Sequence, residues 1–298
     1  GISIPGTKRS SGWRVLFTTP PNQCRSKAGE GLVGGPLMKL LIDADYIVYK
    51  SCAGAEDEID FGDDVILVVS KFSEALSNVQ RELSKIKTNF MWDVPEMVLF
   101  FSDSKNFRKK IYPDYKGHRN RKKPCGYRRV ITELSKQYEV IRMPELEADD
   151  AMGIYATANP GNIIVSPDKD MRQIPGRLYN LDEVIDITPE EGMKWHLIQT
   201  LAGDQTDGYS GVPGIGIKRA VALFEESGYT WETVVKAFAD KGLDEEVALT
   251  NARLARILTH EDFDQRKQQV IRWTPATASD RTDDGAGPQD QTPQGPTT

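Results

Sequence analysis

Three cysteines and three histidines are all that the 298 residues contain. Cys24, Cys52 and Cys125 lie far apart and form no CxxC pair, which argues against zinc and against a disulfide framework and fits a reducing cytosol. His118, His196 and His260 are scattered, so a histidine-built metal site is not expected. No run approaches the ~20 apolar residues of a membrane span. The hydrophobic share is 39%, enough for a core but low, which points to disordered ends. An excess of positive charge is also missing. The net charge of −6 excludes holding nucleic acid by bulk charge and leaves only a local basic patch for that purpose.

What the chain has instead is clustered acid. Glu147-Ala148-Asp149-Asp150 opens an apolar helical run, and Asp168-Lys169-Asp170 follows the strand-like Ile163-Ile164-Val165. Carboxylates at the end of a buried strand and the start of a helix repel one another unless a cation lies between them, and hard divalent cations prefer oxygen ligands. The helix start alone would also attract Glu147, Asp149 and Asp150. The rest of the chain tips the balance by placing more acids at matching positions.

Met38-Lys39-Leu40-Leu41-Ile42-Asp43 reads as a strand of a covered parallel sheet, with Asp43 at its carboxyl end, where open α/β sheets bind ligands. A second strand, Met97-Val98-Leu99-Phe100-Phe101, runs to Asp103. Between them the apolar spacing of Val65, Val68, Val69, Phe72, Leu76, Val79, Leu83 and Ile86 predicts a packing helix over 64–87. Strand, helix and strand then alternate at 139–143, 149–157 and 162–165, with shorter apolar pieces at 178–181 and 184–187. This rhythm predicts an α/β fold with a mainly parallel central sheet and helices on both faces. Thr188, Pro189 and Glu191 carry the signature of a helix start with a capping box. Further helices are expected at 230–239 and 245–258, and a last amphipathic piece ends near Trp273.

Residues 105–129 hold eleven Lys or Arg against one acid, Asp114. Phe107, Tyr112, Tyr115 and Tyr127 are interleaved. Cations for phosphates and rings for bases suit a nucleic-acid strand, although a charge run alone is more often a solvated face. Gly211-Val212-Pro213-Gly214-Ile215-Gly216-Ile217-Lys218-Arg219-Ala220 makes a tight turn with exposed N–H groups before a helix, a ready phosphate site. An ordinary helix–helix turn is the plainer alternative. Residues 1–37 and 274–298 lack apolar periodicity and are expected to be disordered, the first as a leader that need not be native.

Taken together these stretches resemble the flap endonuclease and 5′→3′ exonuclease superfamily, most closely the stand-alone exonucleases of T-odd-type tailed phages. The resemblance is carried by Leu41-Ile42-Asp43, Phe101-Ser102-Asp103 with Asn106-Phe107-Arg108, and Tyr112-Pro113-Asp114-Tyr115-Lys116-Gly117-His118-Arg119. It continues with Glu147-Ala148-Asp149-Asp150, Ser166-Pro167-Asp168-Lys169-Asp170, the run from Gly203 to Gly211, Gly214-Ile215-Gly216 and Ala255-Arg256-Ile257-Leu258. It implies a PIN-like nuclease core over 38–188, with a basic, arch-like segment at 105–138. A helical region over 189–273 would carry a helix-hairpin-helix (helix-three-turn-helix) DNA-binding motif at 211–219. It further implies that Asp43, Asp103, Glu147, Asp149, Asp150, Asp168, Asp170, Asp204 and Asp207 hold two or more Mg²⁺ or Mn²⁺ ions, partly through water. Two ions ~3.5–4 Å apart suit in-line phosphate displacement.

By the same resemblance Lys116 and Arg119 contact the scissile phosphate, Arg108 supports them, and Tyr115 stacks on the terminal base. Arg121, Lys122 and Lys123 join the DNA contacts. Gly211, Gly214, Ile215, Gly216, Lys218 and Arg219 grip duplex backbone, with a monovalent cation at 211–216. The implied activity is hydrolysis near the 5′ end, nick or flap of duplex DNA, extending to RNA primers in RNA–DNA hybrids. It leaves 5′-phosphate and 3′-hydroxyl ends, in phage-type replication, by a monomer in the bacterial host cytoplasm. Relatives thread a 5′ end through an arch after Tyr115; here that segment is short and very basic, and an open loop or a closed arch both fit it. Too little chain follows Trp273 for a polymerase, so a separate nuclease is expected. Two alternatives remain: a non-catalytic DNA-binding protein on the same fold, against which all nine acids speak, and a PIN-type RNA endonuclease, which usually lacks the GVPGIG turn.

Overall fold

The computed structural model describes residues 38–90, 95–119 and 122–275. The leader 1–37, nearly all of the expected tail and Arg121 lie outside them. Strand β1 (Lys39–Asp43) is the middle of the sheet. Helix α1 (Ala44–Ala53) follows directly, with Asp43 as its N-cap accepting from Tyr46 N–H. Next come β2 (Glu56–Asp60) and β3 (Ile66–Ser70), an antiparallel hairpin, and α2 (Phe72–Thr88). The helix expected over 64–87 therefore starts only at Phe72. The run Val65-Ile66-Leu67-Val68-Val69 is β-branched and follows a turn with positive φ at Gly62, Asp63 and Asp64, so it pairs as a strand. Its side chains stay exposed, and α2 buries Ala75, Val79, Leu83 and Ile86.

Strand β4 (Glu96–Phe100) pairs parallel with β1. Helix α3 (Tyr127–Leu134) leads into β5 (Glu139–Ile141), and α4 (Ala148–Ala158) into β6 (Ile163–Val165). Strands β7 (Gly176–Tyr179) and β8 (Val184–Ile187) complete a sheet of order β5-β4-β1-β6-β7-β8, parallel except for β8. The basic segment 105–138 is thus not one unit. Phe107–Lys110 is a 3-10 turn, α3 buries Tyr127, Val130, Ile131 and Leu134 in the core, and the described residues of 111–126 carry no helix.

Side-chain alternation along the strands divides the core, since successive residues face opposite ways. Leu40 and Ile42 pack with α1, α2 and α3 on one face. Leu41 packs with Met152 and Ile154 of α4 on the other. Helices on both faces, as expected, bury the sheet and leave its carboxyl edge open. From β1 the chain turns toward β4 on one side, while β6 pairs with β1 on the other. The crevice beyond the ends of β1 and β6 is where such sheets hold ligands.

The C-terminal part is helical, with its own core around Leu201, Val212, Phe224 and Phe238. Helix α5 (Pro189–Ala202) begins with the expected Thr188–Glu191 capping box and Pro189. A two-stranded ribbon, β9 (Gly203–Asp204) and β10 (Tyr209–Ser210), precedes the 211–216 turn and α6 (Ile217–Ser227). Helices α7 (Trp231–Ala239) and α8 (Glu245–Ala255) follow; the last piece is a small ribbon, β11 (Phe263–Asp264) with β12 (Gln269–Val270). Among the described residues no helix is long and apolar enough to cross a membrane.

Candidate active site

A cleft of about 1210 Å³ opens at the carboxyl edge of the sheet. Seven of the nine expected acids line it: Asp43 from the end of β1, Glu147 and Asp149 from the start of α4, Asp168 and Asp170 after β6, and Asp204 and Asp207 after α5. They come from four separate parts of the chain, and only the fold brings them together. Asp45, which the motifs did not single out, also lines the cleft; it accepts from Ser102 N–H at 2.7 Å and from the Tyr127 hydroxyl. Its only sequence signal is its place two residues after Asp43.

The cleft is electrostatically crowded. Burial, with Asp45 and Asp168 adding to it, pushes Asp43 up to about 6, although Tyr46 N–H and the Ser166 hydroxyl, 3.0 Å away, hold it back. Burial and then Asp43, Asp168 and Glu147 push Asp149 well above the usual carboxylate range. Burial and Asp168 raise Asp170 as well. Such acids gain most from a cation among them. Among the described residues no three of them already converge on a single metal position. An all-oxygen donor set drawn from four parts of the chain suits a hard ion that keeps part of its water shell.

Lys116 and Arg119 line the same cleft, in contact with two of its acids, Glu147 and Asp207. Lys116 has a positive φ of 54°, and its ammonium bonds to Glu147 and lies 3.5 Å from Asp207 Oδ2. Burial disfavours its charge, but Glu147 and Asp207 outweigh that and raise its pKa. The same contact acts on the partner: burial works against Glu147, yet Lys116 and Arg108 hold it down at about 2. Arg119 Nη2 donates to Asp207 Oδ1 at 2.7 Å and keeps a side chain 43% exposed.

Four expectations around the cleft need correction. Arg108, expected at a phosphate, is 1% exposed and gives all five N–H donors to protein. They go to Asp150 Oδ1 and Oδ2 (2.8 and 2.7 Å), Glu147 Oε2 (3.2 Å), Leu254 O (3.0 Å) and Arg256 O (2.6 Å). Asp150, expected as a metal ligand, is the other half of that pair and is fully buried. Asp103 sits off the cleft, and its two oxygens accept Ser104 N–H at 2.8 Å and Glu145 N–H at 2.9 Å. Tyr115, expected to stack on a base, is 2% exposed; its hydroxyl lies 3.0 Å from Glu147 and 2.8 Å from Asp207, and its ring stacks on Tyr209.

The 211–219 turn lies away from the cleft, with Gly214, Gly216, Lys218 and Arg219 exposed and Ile215 half-buried. Arg219 braces the turn through Gly214 O at 2.6 Å. Gly211 is not part of that exposed surface. A Cβ there would stand 2.1 Å from Leu201 O, so glycine is required for the ribbon to return against α5. Lys122 is exposed, and Lys123 lies 3.7 Å from Asp45 and over the Tyr127 ring.

A mainly parallel sheet with an acid-lined cleft at its carboxyl edge that also holds Lys116 and Arg119 suits phosphoryl-transfer chemistry. The family profile described as "5'-3' exonuclease, N-terminal resolvase-like domain" matches residues 38–194, and the chain belongs to that family of 5′-3′ exonucleases. The exodeoxyribonuclease of Enterobacteria phage T3 is 28% identical, over 79% of this chain and 92% of that protein. The exonuclease of Escherichia phage T7 is also 28% identical, over 79% and 93%. Among solved structures, zinc-bound T5 5′-exonuclease aligns with a TM-score of 0.55 at 15% identity, covering 73% of this chain and 88% of that one. A bacteriophage T5 flap endonuclease variant complexed with DNA and metal ions aligns at 0.52 and 17%, covering 72% and 88%. At these identities the structural likeness is one of fold.

Proposed function

We propose that this chain hydrolyses phosphodiester bonds at or near the 5′ ends, nicks or flaps of duplex DNA, as a Mg²⁺- or Mn²⁺-dependent 5′→3′ exonuclease. The reading includes RNA primers in RNA–DNA hybrids, products with 5′-phosphate and 3′-hydroxyl, action as a monomer, and a bacterial host cytoplasm as the place of work. The carrying observation is the convergence of seven acids from four parts of the chain in one cleft with Lys116 and Arg119.

Asp43, Glu147, Asp149, Asp168, Asp170, Asp204 and Asp207 would hold the ions, which supply charge neutralisation and a more acidic water near the phosphate. The chain's own residues do the rest. Lys116 and Arg119 now rest on Glu147 and Asp207. A phosphate entering the cleft offers both cations new acceptors, and their charge offsets what develops on its non-bridging oxygens. The exposed 211–219 turn, with Lys218 and Arg219 and a monovalent cation, holds duplex backbone without reading sequence. Lys122 and Lys123 extend the basic path.

The test is a 5′-labelled duplex incubated with and without Mg²⁺, beside Asp168→Asn. Metal-dependent release of label by the wild type is expected. The variant should lose orders of magnitude in rate while DNA binding stays within a few-fold. DNA binding without any metal-dependent cleavage would establish the non-catalytic alternative instead.

A further inference from the structure

Resting on that reading, the geometry points to Gln199 as a positioning residue of the metal site, orienting Asp170 through a buried amide relay that starts at the backbone of residues 255–257. Gln199 on α5 and Gln173 at the end of the 169–173 turn are 3% and 2% exposed. Their order of donors and acceptors is dictated by the main chain. Ile257 N–H donates to Gln173 Oε1 at 3.0 Å, so the Gln173 amide nitrogen must face the other way. There it donates to Ala255 O and to Gln199 Oε1, both at 2.6 Å. With its oxygen used, Gln199 can present only N–H to Asp170, and it donates to Oδ1 at 2.5 Å.

The close approach behind this relay is built in. A Cβ on Gly192 of α5 would stand 2.4 Å from Gln173 O, so only glycine lets the helix sit down on that turn. The Ala255-Arg256-Ile257-Leu258 motif also gains a purpose. Its backbone supports the relay at Ala255 and Ile257, and on the opposite side Arg256 O receives Arg108 and Leu258 N–H meets Asp150. One extended segment therefore braces both the Asp170 side and the Glu147 side of the cleft. Oδ1 also takes the exposed Lys169 ammonium at 2.9 Å, but Gln199 is its buried, fixed donor; among the described residues no hydrogen bond goes to Oδ2, which is left for a cation. Outer partners of this kind typically matter 10–100-fold for metal affinity.

The experiment is Mn²⁺ titration by calorimetry of the full chain without DNA, on wild type, Gln199→Met and Thr200→Val. Met keeps the volume of Gln199 and removes the donor. Thr200 is the buried neighbour whose hydroxyl donates to His196 O, so its near-isosteric variant reports the loss of a buried α5 hydrogen bond that does not reach Asp170. The expected result is Mn²⁺ affinity about 10–100-fold weaker in Gln199→Met, with kcat reduced and KM for DNA nearly unchanged. Thr200→Val should bind Mn²⁺ as the wild type does. If Gln199→Met does not fold, Gln199→Asn, with the amide drawn back by one methylene, must show the same loss. Wild-type Mn²⁺ affinity in a folded Gln199 variant, or equal losses in the Thr200 variant, would overturn the proposal. Failure of the wild type itself to bind Mn²⁺ would instead overturn the functional reading.

Discussion

Arg108 and Asp150 form a fully buried, two-pronged ion pair with N–O distances of 2.7 and 2.8 Å. It joins the basic segment after β4 to the start of α4, and the remaining Arg108 donors reach the backbone at Leu254 and Arg256. Two residues expected at the chemistry thus hold up its frame. Removing either partner strands a buried charge, which costs about 3–5 kcal/mol. Arg108→Ala should lower unfolding free energy by that amount in a denaturant titration. An unchanged midpoint and slope would refute the structural role.

Lys116 is expected to act on the rate. Its ammonium already lies among the cleft acids, and its charge counts most as the phosphate gains negative charge. Lys116→Ala should lower the single-turnover cleavage rate roughly 100-fold or more, while the Kd for duplex changes only a few-fold. A change confined to Kd would make Lys116 one phosphate contact among many.

Acid crowding predicts how metal ions and pH act together on stability. Asp43 is raised to about 6 in the fold from an ordinary 3.8. The folded protein therefore holds this proton more tightly than the unfolded chain does. The resulting destabilisation is absent below about 3.8, grows as pH rises, and is complete above about 6. A bound divalent ion relieves it. Mn²⁺ should raise the melting temperature more at pH 7.5 than at pH 5, as followed by thermal unfolding with and without the ion. Equal shifts at both values would contradict the crowded-acid picture.

The 211–219 turn predicts a salt effect separable from chemistry. Neutralising Lys218 and Arg219 together should weaken duplex binding and reduce the slope of log affinity against log salt by about one per lost phosphate contact. Cleavage of a short substrate at saturation should hardly change, because the turn lies off the cleft. Loss of saturating rate with an unaltered slope would move the turn into the active site.

The βαβ rhythm of a mainly parallel sheet, the capping box at Thr188 and the placing of Asp43 at a strand end were legible from residue pattern alone. Each depends on local propensity and side-chain period, which neighbouring residues settle. The motifs likewise named Lys116 and Arg119, and seven acids that do share one cleft. Pattern misjudged 64–71, where helical spacing and a β-branched run overlap and a turn decides. It also could not tell Asp149 from Asp150. Adjacent positions on a helix point in directions ~100° apart, so one carboxylate meets the cleft and the other meets Arg108. Which way Tyr115 and Arg108 face, and that Gln199 reaches Asp170, depends on contacts between segments distant in sequence. Those directions are set only when the long-range core closes and every buried donor must find its acceptor.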